Sequence, residues 1–154
     1  MPLYLVQHGR SLPRAVDPEQ PLSPEGEADV RRIAEVARGY GVTVSRILHS
    51  GKRRALETAD IIARYLNPEK GLSSALGLGP LDDPGDWMAQ ADPADSVMLV
   101  GHLPFMEKLA AGLVTGSTAR PILRFQNGGI VCLGIYPGTS RDWVIQWTLM
   151  PQVG

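Results

Sequence analysis

A chain of 154 residues is the size of one domain, here expected to span 1–154, and is long enough to bury a core. Hydrophobic residues make up 44% and charged residues 20%, and a formal net charge of −1 gives no electrostatic reason to expect nucleic acid or an anionic membrane as partner. Any attraction for an anion must therefore be local, and the single cysteine, Cys132, rules out an intrachain disulfide or a thiolate metal site within one chain.

Cys132 lies in the apolar run Ile130-Val131-Cys132-Leu133, where an inert core thiol is expected. No apolar stretch approaches the ~20 residues that a membrane helix needs. The start Met1-Pro2-Leu3-Tyr4 lacks the basic region of a signal peptide, so a cytoplasmic protein is expected.

In chain order, Leu3 to Val6 reads as a short strand. The first helix opens at Leu22-Ser23-Pro24-Glu25: Ser23 can cap, Pro24 suits the first helical position, and Glu25 and Glu27 favour the positive end of the dipole. Val30, Ile33, Ala34 and Ala37 keep helical spacing until Gly39 and Gly41 end the segment. Val42 to Leu48 is the next strand. Lys52 to Leu66 is a second helix with Ala55, Ala59, Ile62, Ala63 and Leu66 on one stripe, stopped by Asn67-Pro68. Residues 67–95, rich in Gly and Pro, predict loops and one short helix near Trp87 to Ala91. Val97 to Val100 is a strand and Pro104 to Val114 a helix. Ile130 to Tyr136 and Trp143 to Leu149 predict a terminal hairpin, with Trp143 and Trp147 expected on one face because they lie four apart on a strand. This alternation predicts an α/β fold: a three-layer α/β/α arrangement around a mixed, mostly parallel sheet.

Three of these runs end in chemistry-bearing residues. Leu5-Val6-Gln7 stops at His8-Gly9, Met98-Leu99-Val100 stops at Gly101-His102, and Ile47-Leu48-His49-Ser50 is followed by Arg54. Taken singly, a histidine at a strand end is more often structural, and Arg54 in Lys52-Arg53-Arg54 suits a solvated helix face. His49 is expected at the surface. In open α/β sheets, however, ligands bind beyond the carboxyl ends of the strands. Two imidazoles and a guanidinium delivered to that edge suit a phosphoryl group.

The set resembles the histidine phosphatase superfamily (phosphoglycerate mutase-like), and within it the short SixA-type phosphohistidine phosphatases. The likeness rests on His8-Gly9, on Leu22-Ser23-Pro24-Glu25-Gly26, on Ser50, Arg54-Ala55 and Glu57-Thr58-Ala59, and on Gly101-His102-Leu103-Pro104. It implies the phosphoglycerate mutase-like fold and phosphoryl transfer through a phosphohistidine intermediate. His8 would be the nucleophile, one ring nitrogen held by a backbone carbonyl near Gly9. Arg54 and His102 would grip the non-bridging oxygens, with Gln7, Gly9, Arg10 and Ser11 completing the binding loop. The resemblance implies no metal and no cofactor. Asp82, Asp83 and Asp86 could be proposed as Mg²⁺ ligands, but a solvated acidic loop is the expected reading.

Two departures stand out. The family's first motif normally begins with arginine, where this chain has Gln7. Hydrogen bonds to charged groups are worth ~1.5–3 kcal/mol, so a neutral amide there could cost roughly ten- to a hundredfold in phosphate affinity or rate. Conversely, Arg10 stands where many relatives are acidic, which suggests that the cation has moved to Arg10 or Arg14. Gly51, where relatives often carry proline, affects the turn more than the chemistry.

Ester cleavage needs a general acid, and Asp82 and Asp83 are the nearest candidates, whereas a labile P–N bond tolerates a weak or absent acid. The expected substrate is therefore phosphohistidine on a protein. The alternatives are a phosphatase for a small phosphorylated molecule, which requires a working acid, and a phosphate-binding regulatory module without turnover, which Gln7 would mark.

Overall fold

The computed structural model describes residues 2–153. In chain order it contains β1 (Leu3–Gln7), α1 (Pro24–Gly39), β2 (Arg46–His49), α2 (Arg53–Leu66), β3 (Leu72–Ser74), α3 (Gly85–Gln90), β4 (Val97–Gly101), α4 (Phe105–Thr115), β5 (Ile130–Ile135) and β6 (Trp143–Leu149). The strands form one six-stranded sheet in the order β3-β2-β4-β1-β5-β6. The first four are mutually parallel; β5 and β6 run antiparallel to their neighbours.

Local chemistry starts and stops the helices much as the sequence suggests. Ser23 Oγ accepts the Gly26 N–H at 3.0 Å, Pro24 occupies the first turn, and Glu25 and Glu27 face the positive dipole end of α1. Ala55, Ala59 and Ile62 are fully buried along α2, which ends on Asn67 in the left-handed region before Pro68. The central strands β1 and β4 are buried almost throughout because helices cover both faces of the sheet. On one face, Val6, Ile47, Met98 and Val100 pack with Val30, Ile33, Ala34, Ala59 and Ile62 of α1 and α2. On the other, Leu5, Leu99, Val131 and Leu133 pack with Phe105, Met106 and Leu109 of α4, while α3 rests on α4.

Three expectations need correction. The strand read from Val42 begins only at Arg46; Val42 to Ser45 approaches the sheet without pairing as a strand, although Val44 is buried. Within 67–95 the short helix exists as α3, but the same stretch also holds β3. β3 is three residues long and half exposed, so it carries no periodic signal and is set by pairing with β2, Ile47 opposite Leu72. Finally, Trp143 and Trp147 lie on opposite faces. A bulge between Cys132 and Leu133 shifts the β5–β6 register, so Trp147 packs with Tyr4 toward α1 and α2 while Trp143 joins the α4 layer. Among the described residues, no helix is long and apolar enough to cross a membrane.

Candidate active site

Because β2, β4 and β1 are parallel neighbours, their carboxyl ends deliver Ser50, His102 and His8 to one edge of the sheet. Pairing of β1 with β4 runs to Gln7 opposite Gly101, and the His8 N–H then donates to the Gly101 carbonyl at 2.9 Å. The two imidazoles end up with ring centroids 4.9 Å apart. His8 Nδ1 lies 2.7 Å from the Gly9 carbonyl oxygen. A carbonyl only accepts, so Nδ1 carries the proton and Nε2 keeps its lone pair.

The backbone that carries His8 is tied down on every side. The Gly9 N–H donates to Thr58 Oγ1 at 2.9 Å, and Thr58 in turn donates to the Arg54 carbonyl at 2.8 Å. Asn127 Nδ2 donates to the His8 carbonyl at 2.9 Å, and the Gly128 N–H donates to the Gln7 carbonyl at 2.8 Å. A Cβ on Gly9 would meet Val30 Cγ2 at 2.8 Å, so only glycine lets this loop lie against α1.

Arg54 occupies the first turn of α2, entered through Ser50-Gly51, where Gly51 has a φ of 90°. His49, expected at the surface, is buried at this turn: its Nδ1 accepts the Gly51 N–H at 3.1 Å. The reason is that β2 is an interior strand covered on both faces, so the residue at its end is buried as well. Ser50 Oγ lies 2.6 Å from His102 Nε2. His102 is 2% exposed, and its Nδ1 is buried without a protein partner.

Burial and charge keep both imidazoles neutral. The His8 pKa is pushed down to about 4, first by desolvation and then by Arg54, against the bond to Gly9. His102 falls to about 3 through desolvation, His8, Arg54 and Lys52. Arg54 is itself lowered, by burial and then by Arg14, but a guanidinium starts so high that it stays charged. The site thus sets a ring nitrogen with a free lone pair within the field of a guanidinium.

The other expected residues fall less evenly. Gln7 Oε1 is buried and has no hydrogen-bond partner. Arg10 pairs with Asp29 of α1 at 3.0 Å, sharing that carboxylate with Arg32. Arg14 has no carboxylate partner among the described residues and lies close enough to Arg54 to act on its charge. Ser11 forms a lone bridge with Leu22, which closes the first loop. Asp82 accepts the Gly79 N–H and Asp83 the Gly85 N–H, both within their own loop. Among the described residues, no group of three or more His, Cys, Asp or Glu is placed to hold a metal ion. A cleft of about 540 Å³ opens beside Gln7, lined among others by Arg10, Leu103, Glu107, Arg124 and Asn127.

Asn127 was not anticipated from the sequence. Its signal is Asn127-Gly128-Gly129, a turn-forming run directly before β5, the antiparallel neighbour of the strand that carries His8.

The family model described as Histidine phosphatase superfamily (branch 1) matches residues 3–76, a span that includes His8 and Arg54. An uncharacterized protein of Picosynechococcus sp. is 31% identical over 150 residues, covering 92% of this chain and 88% of the relative. The phosphohistidine phosphatase SixA of Escherichia coli is 31% identical over 124 residues, 77% of each chain. A solved protein histidine phosphatase SixA, complexed with tungstate, superposes with a TM-score of 0.83 at 25% identity, over 98% of this chain and 97% of that one. Sequence likeness across three quarters of a curated relative and an almost complete structural match place this chain in the histidine phosphatase superfamily.

Proposed function

We propose that the protein hydrolyses phosphohistidine on a protein substrate through a phosphoryl intermediate on His8. The observation that carries this reading is the His8 ring: neutral, with Nδ1–H donated to the Gly9 carbonyl and Nε2 left as a lone pair beside the Arg54 charge. Nε2 attacks phosphorus, the bond from phosphorus to the substrate nitrogen breaks, and its electron pair leaves with the substrate imidazole. The positive charge that develops on the His8 ring is stabilised through Nδ1–H by the Gly9 carbonyl. Arg54 and His102 hold the non-bridging oxygens. Water then attacks the same phosphorus, the bond to Nε2 breaks, and orthophosphate is released with His8 restored.

Three features support a P–N rather than a P–O substrate. Imidazole, once protonated, leaves without an enzymic acid, and Asp82 and Asp83 are occupied in capping their own loop. Among the described residues, Asp82 and Asp83 lie in an exposed loop rather than in the strand-end cluster of His8, Ser50 and His102. A relative of similar length bears the name phosphohistidine phosphatase.

The test is phosphate release from phosphohistidine and phosphoramidate, with p-nitrophenyl phosphate as the ester control. Wild type should turn over the P–N substrates faster than the ester, and His8→Ala should abolish turnover while the fold, followed by circular dichroism, persists. Equal turnover by His8→Ala would refute the reading. A binding module without turnover is the competing reading, favoured by the uncharged Gln7 with its unpartnered oxygen. It requires orthophosphate binding by a wild type that releases no phosphate.

A further inference from the structure

We infer that Ser50 is a positioning residue: it donates its hydroxyl proton to His102 Nε2, fixing His102 in the tautomer whose buried Nδ1–H is presented to a phosphoryl oxygen. The inference rests on the phosphatase reading only for the identity of the oxygen that Nδ1–H meets.

Counting protons around Ser50 gives the direction of the short bond. Ser50 Oγ lies 2.6 Å from His102 Nε2, and the Lys52 N–H donates to the same oxygen at 3.4 Å. The hydroxyl has one proton to give, and Lys52 already occupies one of its lone pairs. If His102 donated from Nε2, Oγ would receive two donors while its own proton met no acceptor among the described residues. His102 Nδ1 would then be a bare lone pair, buried without a partner, in a site whose other charged groups are cations. Such a lone pair would repel a phosphoryl oxygen. With the opposite tautomer every proton has a direction: Lys52 N–H to Oγ, Oγ–H to Nε2, and Nδ1–H to the ligand.

The buried, unpartnered Nδ1 is explained by the same count. An orphaned donor inside a protein is costly, so its persistence marks a group completed by ligand. Burial and the neighbouring cations keep the ring from taking a second proton, so the tautomer, not the charge, decides whether the site donates. The turn that carries Ser50 is held for this task. Gly51 takes a φ of 90°, where no side chain sits comfortably, and its N–H is fixed by the buried His49 Nδ1 at 3.1 Å.

The experiment uses the full chain labelled with ¹⁵N-histidine at neutral pH, its imidazoles read by long-range ¹H–¹⁵N correlation, with His102→Gln to assign the His102 signals. Wild-type His102 should show a protonated Nδ1 and a bare Nε2, and inorganic phosphate should shift the Nδ1–H resonance. Ser50→Ala should mix the tautomers and lower kcat roughly 10- to 100-fold, the loss expected when an oxyanion donor is misdirected, with a smaller change in KM. Ser50→Thr, which keeps a hydroxyl, should recover most of both signals. A wild-type His102 protonated on Nε2 overturns the inference, whether or not Ser50→Ala folds. So does a folded Ser50→Ala with wild-type tautomer and kcat. An Nδ1–H tautomer responding to phosphate in a protein without turnover supports the Ser50 assignment and refutes the phosphatase reading.

Discussion

At the scale of single residues, the site works by withholding protons. The His8 pKa is pushed down to about 4 and that of His102 to about 3, from an ordinary 6.5, with His8 adding to the depression of His102 at a ring separation of 4.9 Å. Two consequences follow in opposite observables. kcat/KM for a phosphoramidate substrate, corrected for spontaneous hydrolysis, should stay level through neutral pH and fall only as the pH approaches about 4, where His8 Nε2 is protonated. Folding stability should fall earlier. A base depressed in the folded state binds its proton first in the unfolded chain, so its contribution is complete above 6.5 and is lost as pH drops from there toward about 4. Urea midpoints measured at neutral pH and at about pH 5 should show this loss, and His8→Asn, which cannot titrate, should show less of it. Equal losses would mean that His8 is not depressed. His8 and His102, which each end an apolar run, are candidates in the sequence only together with Arg54 and the motifs around them. His49 ends one too and was misread, since nothing in its neighbourhood shows that its strand is interior.

At the scale of elements, the loop between β1 and α1 decides where its arginines act. Arg10 pairs with Asp29, whose carboxylate is mostly buried and also receives Arg32, so Arg10 fastens the loop to α1. Gly26 in the first turn of that helix lies against the Arg10 carbonyl, where a Cβ would overlap it. Arg14, further along the same loop, is unpaired among the described residues and acts on Arg54. On the proposed reading, Arg14 is therefore the arginine assigned the charge that position 7 lacks. Arg14→Ala should weaken orthophosphate binding several-fold, by about 1 kcal/mol, and leave the melting temperature unchanged. Arg10→Ala should lower stability by about 1 kcal/mol or less and change phosphate affinity less than Arg14→Ala does. Calorimetric titration and thermal denaturation of both variants separate the assignments, and a reversed pattern would return the role to Arg10. The sequence offered both arginines equally, because only the packing of α1 shows which of them has a carboxylate within reach.

At the scale of the whole molecule, a net charge of −1 coexists with a positive site. Arg54 and Lys52 act on His102, and Arg14 acts on Arg54, so three cations gather at one edge of the sheet. Orthophosphate affinity should therefore weaken as salt rises from low to physiological concentration, whereas the urea midpoint should change little, since the surface ion pairs contribute modestly. Salt-independent phosphate binding would contradict this picture. The sequence by itself determined the alternation of strands and helices, the caps of α1 and the stop of α2, and the family, because each depends on neighbours a few residues apart or on short motifs. Tertiary structure alone decided the rest: that β3 exists, that the bulge sends Trp143 and Trp147 to opposite faces, that Arg10 is spent on Asp29, and that Ser50 meets His102. The physical reason is the same in each case, since register, burial and hydrogen-bond direction depend on contacts between residues tens of positions apart.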